Sequence, residues 1–419
     1  MHDFKYKNDS LYCEDVNVAE IAQRFGTPCY IYSHNTIVNH YLKLQKAFED
    51  VNPLICYSVK ANSNIAILRT LIKIGAGLDI VSGGELYRAK LAGADPKKIV
   101  YAGVGKTEIE IDAALKEGIL FFNVESIGEL ELINKRAGAL GKKPFIAIRV
   151  NPNIAAKTHR YITTGKEKNK FGLDLNTTKW IFLNLNKFPN LRLSGVHIHI
   201  GSQIIESRPF VGAIRRVIGF IGSLMSLGIK IEYFNIGGGL GIIYKDEKPQ
   251  TADEYASAVL PILKDTGLKI ILEPGRFIIG NAGILVAEVV YVKKTKNKNF
   301  IIVDAGMNDL MRPMLYEAYH AILPVAKSKK DIKQKFDVVG PICESGDFFA
   351  LNRALIEPRQ GDLLAVMSAG AYGFSMSSNY NARRRPAEIM VSGNKFFEIR
   401  RRETYEDLVK GEIIPEILK

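Results

Sequence analysis

Eight short apolar runs recur between residues 54 and 273, and stretches of helical patterning separate them. The runs are LICYSV, LDIV, KIVYAGV, ILFFNV, FIAIRV, GVHIHI, YFNIGG and KIILEP. After the first, Ile65, Leu68, Leu71 and Ile72 stand at helical spacing, and SGGELYRAKLAGA, KTEIEIDAALKEG and SRPFVGAIRRVIGFIGSLMSLGI follow the same rule. Strand and helix alternating at this rhythm mean a parallel sheet with covered faces. Eight such units predict an α/β fold built on a closed (β/α)8 TIM-type barrel. An open doubly wound sheet is the alternative. It is disfavoured because no Gly-x-Gly-x-x-Gly follows the first strand.

After about residue 280 the rhythm changes. ILVAEVVYVKK, NFIIVDAG, FDVVGPIC and DLLAVMSAG are β-rich with turn signals between them, and AEIMVSGNKFFEIRR reads as a hairpin turning at SGN. These predict a second, mostly antiparallel β-domain over 281–419, a barrel over 36–280, and an N-terminal segment 1–35 whose TPCYIYS joins the β-domain. At 47% hydrophobic and 24% charged residues, the 419-residue chain has ample material for large cores. MHDFKYKNDS has no apolar stretch of the secretory kind, and runs such as IIGNAGILVA are too short and interrupted to span a bilayer. Cys13, Cys29, Cys56 and Cys343 form no Cys-x-x-Cys pair and no metal-ligand spacing with histidine. The expectation is a cytoplasmic protein with free thiols, no metal and no membrane partner. The net charge of +13 is scattered. Its densest runs, KKTKNKNK, KSKKDIKQK and NARRRP, lack interleaved aromatics and read as solvated loops rather than a nucleic-acid surface.

Barrel chemistry sits at the C-terminal ends of strands. Lys60 ends the first run and Asp79 lies in the second. His197 and His199 alternate in the sixth, followed by Ser202, and period-two geometry points both rings to one face. Gly237, Gly238 and Gly239 end the seventh; Glu273, Gly275 and Arg276 end the eighth. Each has an ordinary reading. A strand-end lysine is commonplace, strand histidines usually pack, three glycines make a tight turn, and Glu273 can pair with Arg276. Their convergence on one rim departs from that account. A lysine amine, a glycine cradle for phosphate, a flat ring and a carboxylate are the parts of a pyridoxal 5'-phosphate site.

The chain resembles the alanine-racemase-like, fold-type III pyridoxal phosphate enzymes, and within them the diaminopimelate decarboxylases. The likeness runs in order through YSVKAN, DIVSGGEL, VNP with KTHRYITTG and KFGL, GVHIHIGSQ, NIGGGLG, LEPGR, VDAGMNDLMRP, GPICESGD and GAYGFSMSSNYN. It implies decarboxylation of meso-2,6-diaminopimelate to L-lysine and carbon dioxide, the last step of lysine biosynthesis. It implies that Lys60 is the Schiff-base lysine, His199 the ring-stacking histidine and Glu273 the partner of the pyridine nitrogen. Ser202, Gly237 to Gly239, Gly275, Arg276 and Tyr372 would hold the phosphate, with Asp79 also at the cofactor. Cys343 would reprotonate the α-carbon. The resemblance further implies a homodimer with shared active sites, the partner chain supplying the residues at positions 343 and 344.

A site for diaminopimelate needs both signs of charge at the far end of the substrate. Arg276, Arg312, Tyr316 and Tyr372 are similar to the family's distal carboxylate-holding group, and Glu344 to the residue that holds the distal ammonium. Arginine suits two-point contact with a carboxylate. The alternatives are a decarboxylase of another amino acid or of a carboxylated polyamine on the same fold, and a non-catalytic cofactor-binding paralogue. The basic balance is not explained by the family, and NIAAKTHRYITTGKEKNKFG is long and polar enough to be a lid.

Overall fold

The computed structural model describes residues 2–154, 170–328 and 332–419. KTHRYITTG and most of the candidate lid fall in 155–169, outside the described residues, as does 329–331 of the KSKKDIKQK run. The chain divides into two compact units: Met1–Thr36 with Gly280–Lys419, and Ile37–Ile279.

The second unit is the barrel. Its strands in chain order are Leu54–Ser58, Gly77–Ile80, Ile99–Tyr101, Phe121–Val124, Phe145–Arg149, Arg192–His197, Tyr233–Asn235 and Lys269–Leu272. All neighbours are parallel, and the eighth strand closes on the first through Ile271 opposite Leu54 and Leu272 opposite Ile55. Each of the eight apolar runs supplies one strand. Their residues are buried on both faces, which is why the runs do not alternate. Cys56, Val100, Phe121, Ala147 and Ile271, from five strands, fill part of the interior.

The helices start where the sequence offers an oxygen to their free N–H groups. Asn64 caps Ile65–Lys73, Ser82 caps Gly83–Leu91, Ser126 caps Ile127–Ala139 and Asp174 caps Leu175–Leu183. Thr107 with Glu110 and Thr251 with Glu254 form reciprocal capping boxes at Glu108–Glu117 and Ala252–Leu263.

The first unit is built on a nine-stranded sheet. Cys29–Ser33, from the TPCYIYS segment, lies between Gly283–Lys294, antiparallel to it, and Ala387–Ser392, parallel to it. Ala387–Ser392 turns at Gly393 into Lys395–Arg400 as an antiparallel hairpin. Asn299–Val303, Lys333–Val339 and Phe348–Ile356 extend the other side, and a small sheet of Phe4–Lys7, Ser10–Cys13 and Val16–Asn17 packs its apolar face into the same core. The sheet is mostly antiparallel. Among the described residues, no helix is long and apolar enough to cross a membrane.

Gly77 opens the second barrel strand where two neighbours close in. A Cβ there would stand 2.4 Å from the Lys98 carbonyl oxygen and 2.8 Å from Cys56 Sγ. Gly77→Ala is therefore expected to cost about 1–3 kcal/mol through overpacking. A lower denaturation midpoint checks this; an unchanged midpoint contradicts the tight closure.

Candidate active site

Strand one ends at Ser58, and Lys60 is carried just beyond it on the single 3-10 turn Val59–Ala61. Its Nζ donates to Asp79 Oδ2 at 3.0 Å. Asp79 is fully buried in strand two, and Ser58 Oγ lies 2.6 Å from the same oxygen. Burial, and then the charge of Glu273, push the Asp79 carboxyl up; Lys60 and Ser58 pull against them.

Glu273 follows strand eight and points into the barrel mouth, 3% exposed. The ion pair with Arg276 open to it in the sequence does not form. Asn123 and Asn235 each donate an amide N–H to Oε1, at 3.0 and 2.6 Å, and His197 Nε2 lies 3.1 Å from Oε2. Burial alone would raise this carboxyl. The His197 ring, by charge and hydrogen bond, outweighs it together with Lys60 and His199, and Glu273 is held well below the ordinary carboxylate range. It is a buried anion with its donors in place.

Gly237, Gly238 and Gly239 form a loop of bare backbone against the ends of strands six and eight. A Cβ would come within 2.3 Å of the Ile198 carbonyl oxygen at Gly237, 2.0 Å of that of Glu273 at Gly238 and 2.4 Å of that of Gly201 at Gly239. Only glycine fits. Asn235 ties this loop to the carboxylate, because its Oδ1 accepts from Gly237 N–H at 2.9 Å while its Nδ2 donates to Glu273. Beside the loop, Arg276 donates to Ser202 Oγ through Nη2 at 3.0 Å and to the Tyr244 hydroxyl through Nη1 at 2.6 Å. Gly275 packs against Ser58 and Ala61, where a Cβ would stand 3.0 and 3.1 Å from theirs.

The two histidines divide. Strand six stops at His197, because its partner strand stops at Asn235, where the chain turns into Gly237 at φ +69°. His199 therefore lies in the loop after the strand rather than alternating with His197 inside it. Its half-buried ring accepts from Gly238 N–H through Nδ1 at 3.2 Å. Burial, then Arg149 and Lys60, hold its pKa well below the ordinary 6.5.

Lys60, Asp79, His199, Ser202, Gly237, Gly238, Gly239, Glu273, Gly275 and Arg276 thus all belong to the barrel unit. Cys343, Glu344, Arg312, Tyr316 and Tyr372 belong to the other. There Cys343 is exposed on a loop whose backbone Asp347 braces, accepting from Ile342 N–H and Met307 N–H at 2.6 Å each. Arg312 begins the short helix Arg312–Tyr316 and donates through Nη1 to His320 Nε2 at 2.8 Å. Tyr372 holds a left-handed backbone at φ +56°.

The profile described as "Pyridoxal-dependent decarboxylase, pyridoxal binding domain" matches residues 34–280. The chain is 51% identical to the diaminopimelate decarboxylase of Aquifex aeolicus (strain VF5) over 97% of its own length and 96% of the relative's. It superimposes on the "m. jannaschii" diaminopimelate decarboxylase in co-complex with L-lysine with a TM-score of 0.94, at 41% identity over 99% of both chains. The Helicobacter pylori enzyme complexed with L-lysine gives 0.91 at 45% identity, over 94% of this chain and 98% of that one. The chain belongs to the diaminopimelate decarboxylase family.

The family's cofactor is pyridoxal phosphate, and the donor set fits it. A lysine amine, a buried carboxylate kept ionised, a neutral imidazole and a glycine loop with no room for side chains are the groups that a pyridine aldehyde phosphate requires. The residues missed in the sequence are those that hold these groups. Asn123 and Asn235 are single polar residues inside apolar runs, and that interruption was the available signal. A second buried network borders the same rim. Lys106 donates to Glu129 at 2.6 Å, Glu129 accepts from the Glu125 N–H, and Glu125 accepts from Arg149 at 2.8 Å and from Gly172 N–H at 3.2 Å. Nothing in the spacing of these four charges marks them as partners.

For this family member, the low pKa of His199 has a sign. The folded ring binds its proton less tightly than an unfolded one, so acidification through the ordinary imidazole range costs the native state stability. Ring resonances of His199, assigned by comparison with His199→Gln, are expected to stay flat across that range. An inflection near 6.5 would contradict the burial and the Arg149 field.

Proposed function

We infer that the chain decarboxylates meso-2,6-diaminopimelate at its D-centre and releases L-lysine and carbon dioxide. What carries this reading is the ionised Glu273 held beside the Lys60–Asp79 pair on one barrel rim, in a chain 51% identical to a relative named for that reaction. Bound pyridoxal phosphate supplies the electron sink that lets a carboxylate leave as carbon dioxide. The chain's residues do the rest. Lys60 supplies the amine that holds the cofactor. Glu273 offers a negative charge to the pyridine nitrogen, and the glycine loop, Ser202, Arg276 and Tyr372 offer donors to the phosphate. His199, kept neutral, would contact the cofactor ring without adding positive charge. Cys343 returns a proton to the α-carbon. Arg276, Arg312 and Tyr316 hold the distal carboxylate and Glu344 the distal ammonium. A cation-only substrate would leave those arginines unpaired, so discrimination is large.

The working unit is a homodimer in the cytoplasm, each site completed by Cys343 and Glu344 of the other chain. Mixing tests this directly. Lys60→Ala and Cys343→Ala are each expected to lower turnover at least about 100-fold. Mixed, unfolded and refolded together, they recover about a quarter of wild-type activity, because half of the dimers carry one intact site. No recovery contradicts shared sites, and near-normal turnover of either variant alone removes the role given to its residue.

The substrate assignment is tested by supplying meso-diaminopimelate, arginine and ornithine in parallel and reading carbon dioxide and L-lysine. Product from diaminopimelate alone is expected. Carbon dioxide mainly from arginine or ornithine, by a protein that carries its cofactor absorbance, overturns the substrate and keeps the cofactor site.

A further inference from the structure

The NARRRP run takes no part in the site described above. In the β-rich unit it forms a wall of a cavity of about 450 Å³, within the range of small-ligand sites. Arg383, Arg384 and Arg402 line this cavity, facing Asp304 and Asp309. Among the described residues, none of these three guanidinium groups has a carboxylate oxygen within ion-pair distance. Arg383 Nη2 donates to the Asp304 backbone carbonyl at 3.1 Å, and Arg402 Nη2 to that of Pro28 at 2.8 Å. Arg384 lies 4.6 Å over the Tyr405 ring. The flanking arginines behave differently: Arg400 is paired with Glu388 and Arg401 with Asp407. The two arginines that precede Arg402 are thus paired with carboxylates, and those at the cavity are not.

Two carboxylates in the wall face three guanidinium groups. Asp309 is buried, and burial pushes its carboxyl up to about 7 against the pull of Arg383 and Arg402; burial raises Asp304 as well. Arg402 in turn pays for its half-buried position with a lowered pKa, caused first by burial. A concave site with three guanidinium groups and a surplus of positive charge suits an oxyanion able to take two-point contacts.

The wall also reaches the Cys343 loop. Asn381 and Ala382, both lining the cavity, hold consecutive left-handed conformations at φ +54° each, which alanine rarely adopts. Asn381 Oδ1 accepts from Cys343 N–H at 2.8 Å. Arg383 follows directly in the chain.

We propose that the cavity lined by Arg383, Arg384 and Arg402 binds a small dianionic oxyanion, a phosphate or a dicarboxylate, and that its occupancy alters the setting of Cys343 through Asn381. The binding stands on the cavity alone; its consequence for catalysis rests on the acid role given to Cys343. Cofactor-loaded enzyme is titrated calorimetrically with inorganic phosphate and, separately, with succinate, at ionic strength held constant with sodium chloride. One saturable site per chain is expected for at least one of the two. Affinity falls about tenfold or more in Arg384→Ala, whose guanidinium lies over the Tyr405 ring and whose unchanged thermal unfolding midpoint reports an intact fold. No saturable binding of either anion, or equal affinity in the variant, overturns the site. Alkylation of Cys343 by iodoacetamide gives the second reading, because Cys13, Cys29 and Cys56 are buried. Saturating anion is expected to change its rate about threefold or more in the wild type and not in Arg384→Ala. An unchanged rate with binding intact overturns the link to Cys343. Wild-type turnover in Cys343→Ala would instead remove the acid role and leave the anion titration as it stands.

Discussion

A carboxylate in the mouth of a barrel is stable only if its donors are already there. Glu273 has three, and they come from three strands: Asn123 from the fourth, His197 from the sixth and Asn235 from the seventh. Register sets their positions. His197 stands opposite Asn235, Asn235 opposite Ile271 and Asn123 opposite Ala147. A slip of one residue in any of these pairings would turn a donor to the outer face and leave a buried charge unsatisfied. Closure of the barrel and ionisation of Glu273 are therefore one condition. The apolar floor favours closure in general, and the three donors favour this register in particular.

The same economy governs the rest of the rim. Asn235 satisfies the glycine loop with its oxygen and Glu273 with its nitrogen, so one side chain sets the distance between anion cradle and carboxylate. Gly238 fixes His199 through a backbone N–H, and the acceptor role of Nδ1 agrees with a neutral ring. Across the rim, Lys106, Glu129, Glu125 and Arg149 are buried but joined, and Glu125 reaches Gly172 where the chain returns to strand five. Buried charges of this kind are costly singly and tolerable when every member has partners. Arg149 then contributes twice: it anchors Glu125, and its charge disfavours protonation of His199.

These features also explain what was legible in the sequence. Eight apolar runs are visible because full burial of a parallel strand forbids alternation, and each run became a strand. The convergence of Lys60, Glu273 and the three glycines was legible because barrel strands bring their C-terminal ends to one rim. Asn123 and Asn235 were not, since one polar residue in an apolar run marks a position but not its partner until the strand that faces it is known. The alternation of His197 and His199 misled for a related reason: it assumed a strand that runs on, whereas the neighbouring strand ends and takes the pairing with it. Long-range networks such as Lys106 to Arg149 depend on which helices and loops overhang which strands, and residue spacing carries no record of that.

The division of the chain adds a constraint on when the site can exist. Ile37–Ile279 is one continuous segment, and its barrel closes with its own residues. The other unit is discontinuous. Its strand Cys29–Ser33 is flanked by Gly283–Lys294 and by Ala387–Ser392, so an N-terminal strand waits for residues more than three hundred positions later. The buried Tyr32 hydroxyl donates to Glu388 at 2.8 Å, and Arg400 neutralises that carboxylate. The polar centre of the sheet is thus completed only by the last strands of the chain. Segments that close within themselves form before those that need distant partners, because loop closure must precede the contacts that reward it. Of the residues assigned to the cofactor, all but Tyr372 lie on the continuous unit. Cys343, Glu344, Arg312, Tyr316 and Tyr372 lie on the late one. The groups assigned to substrate selection and proton return thus share a unit completed by the last strands of the chain, whereas the barrel closes within its own segment.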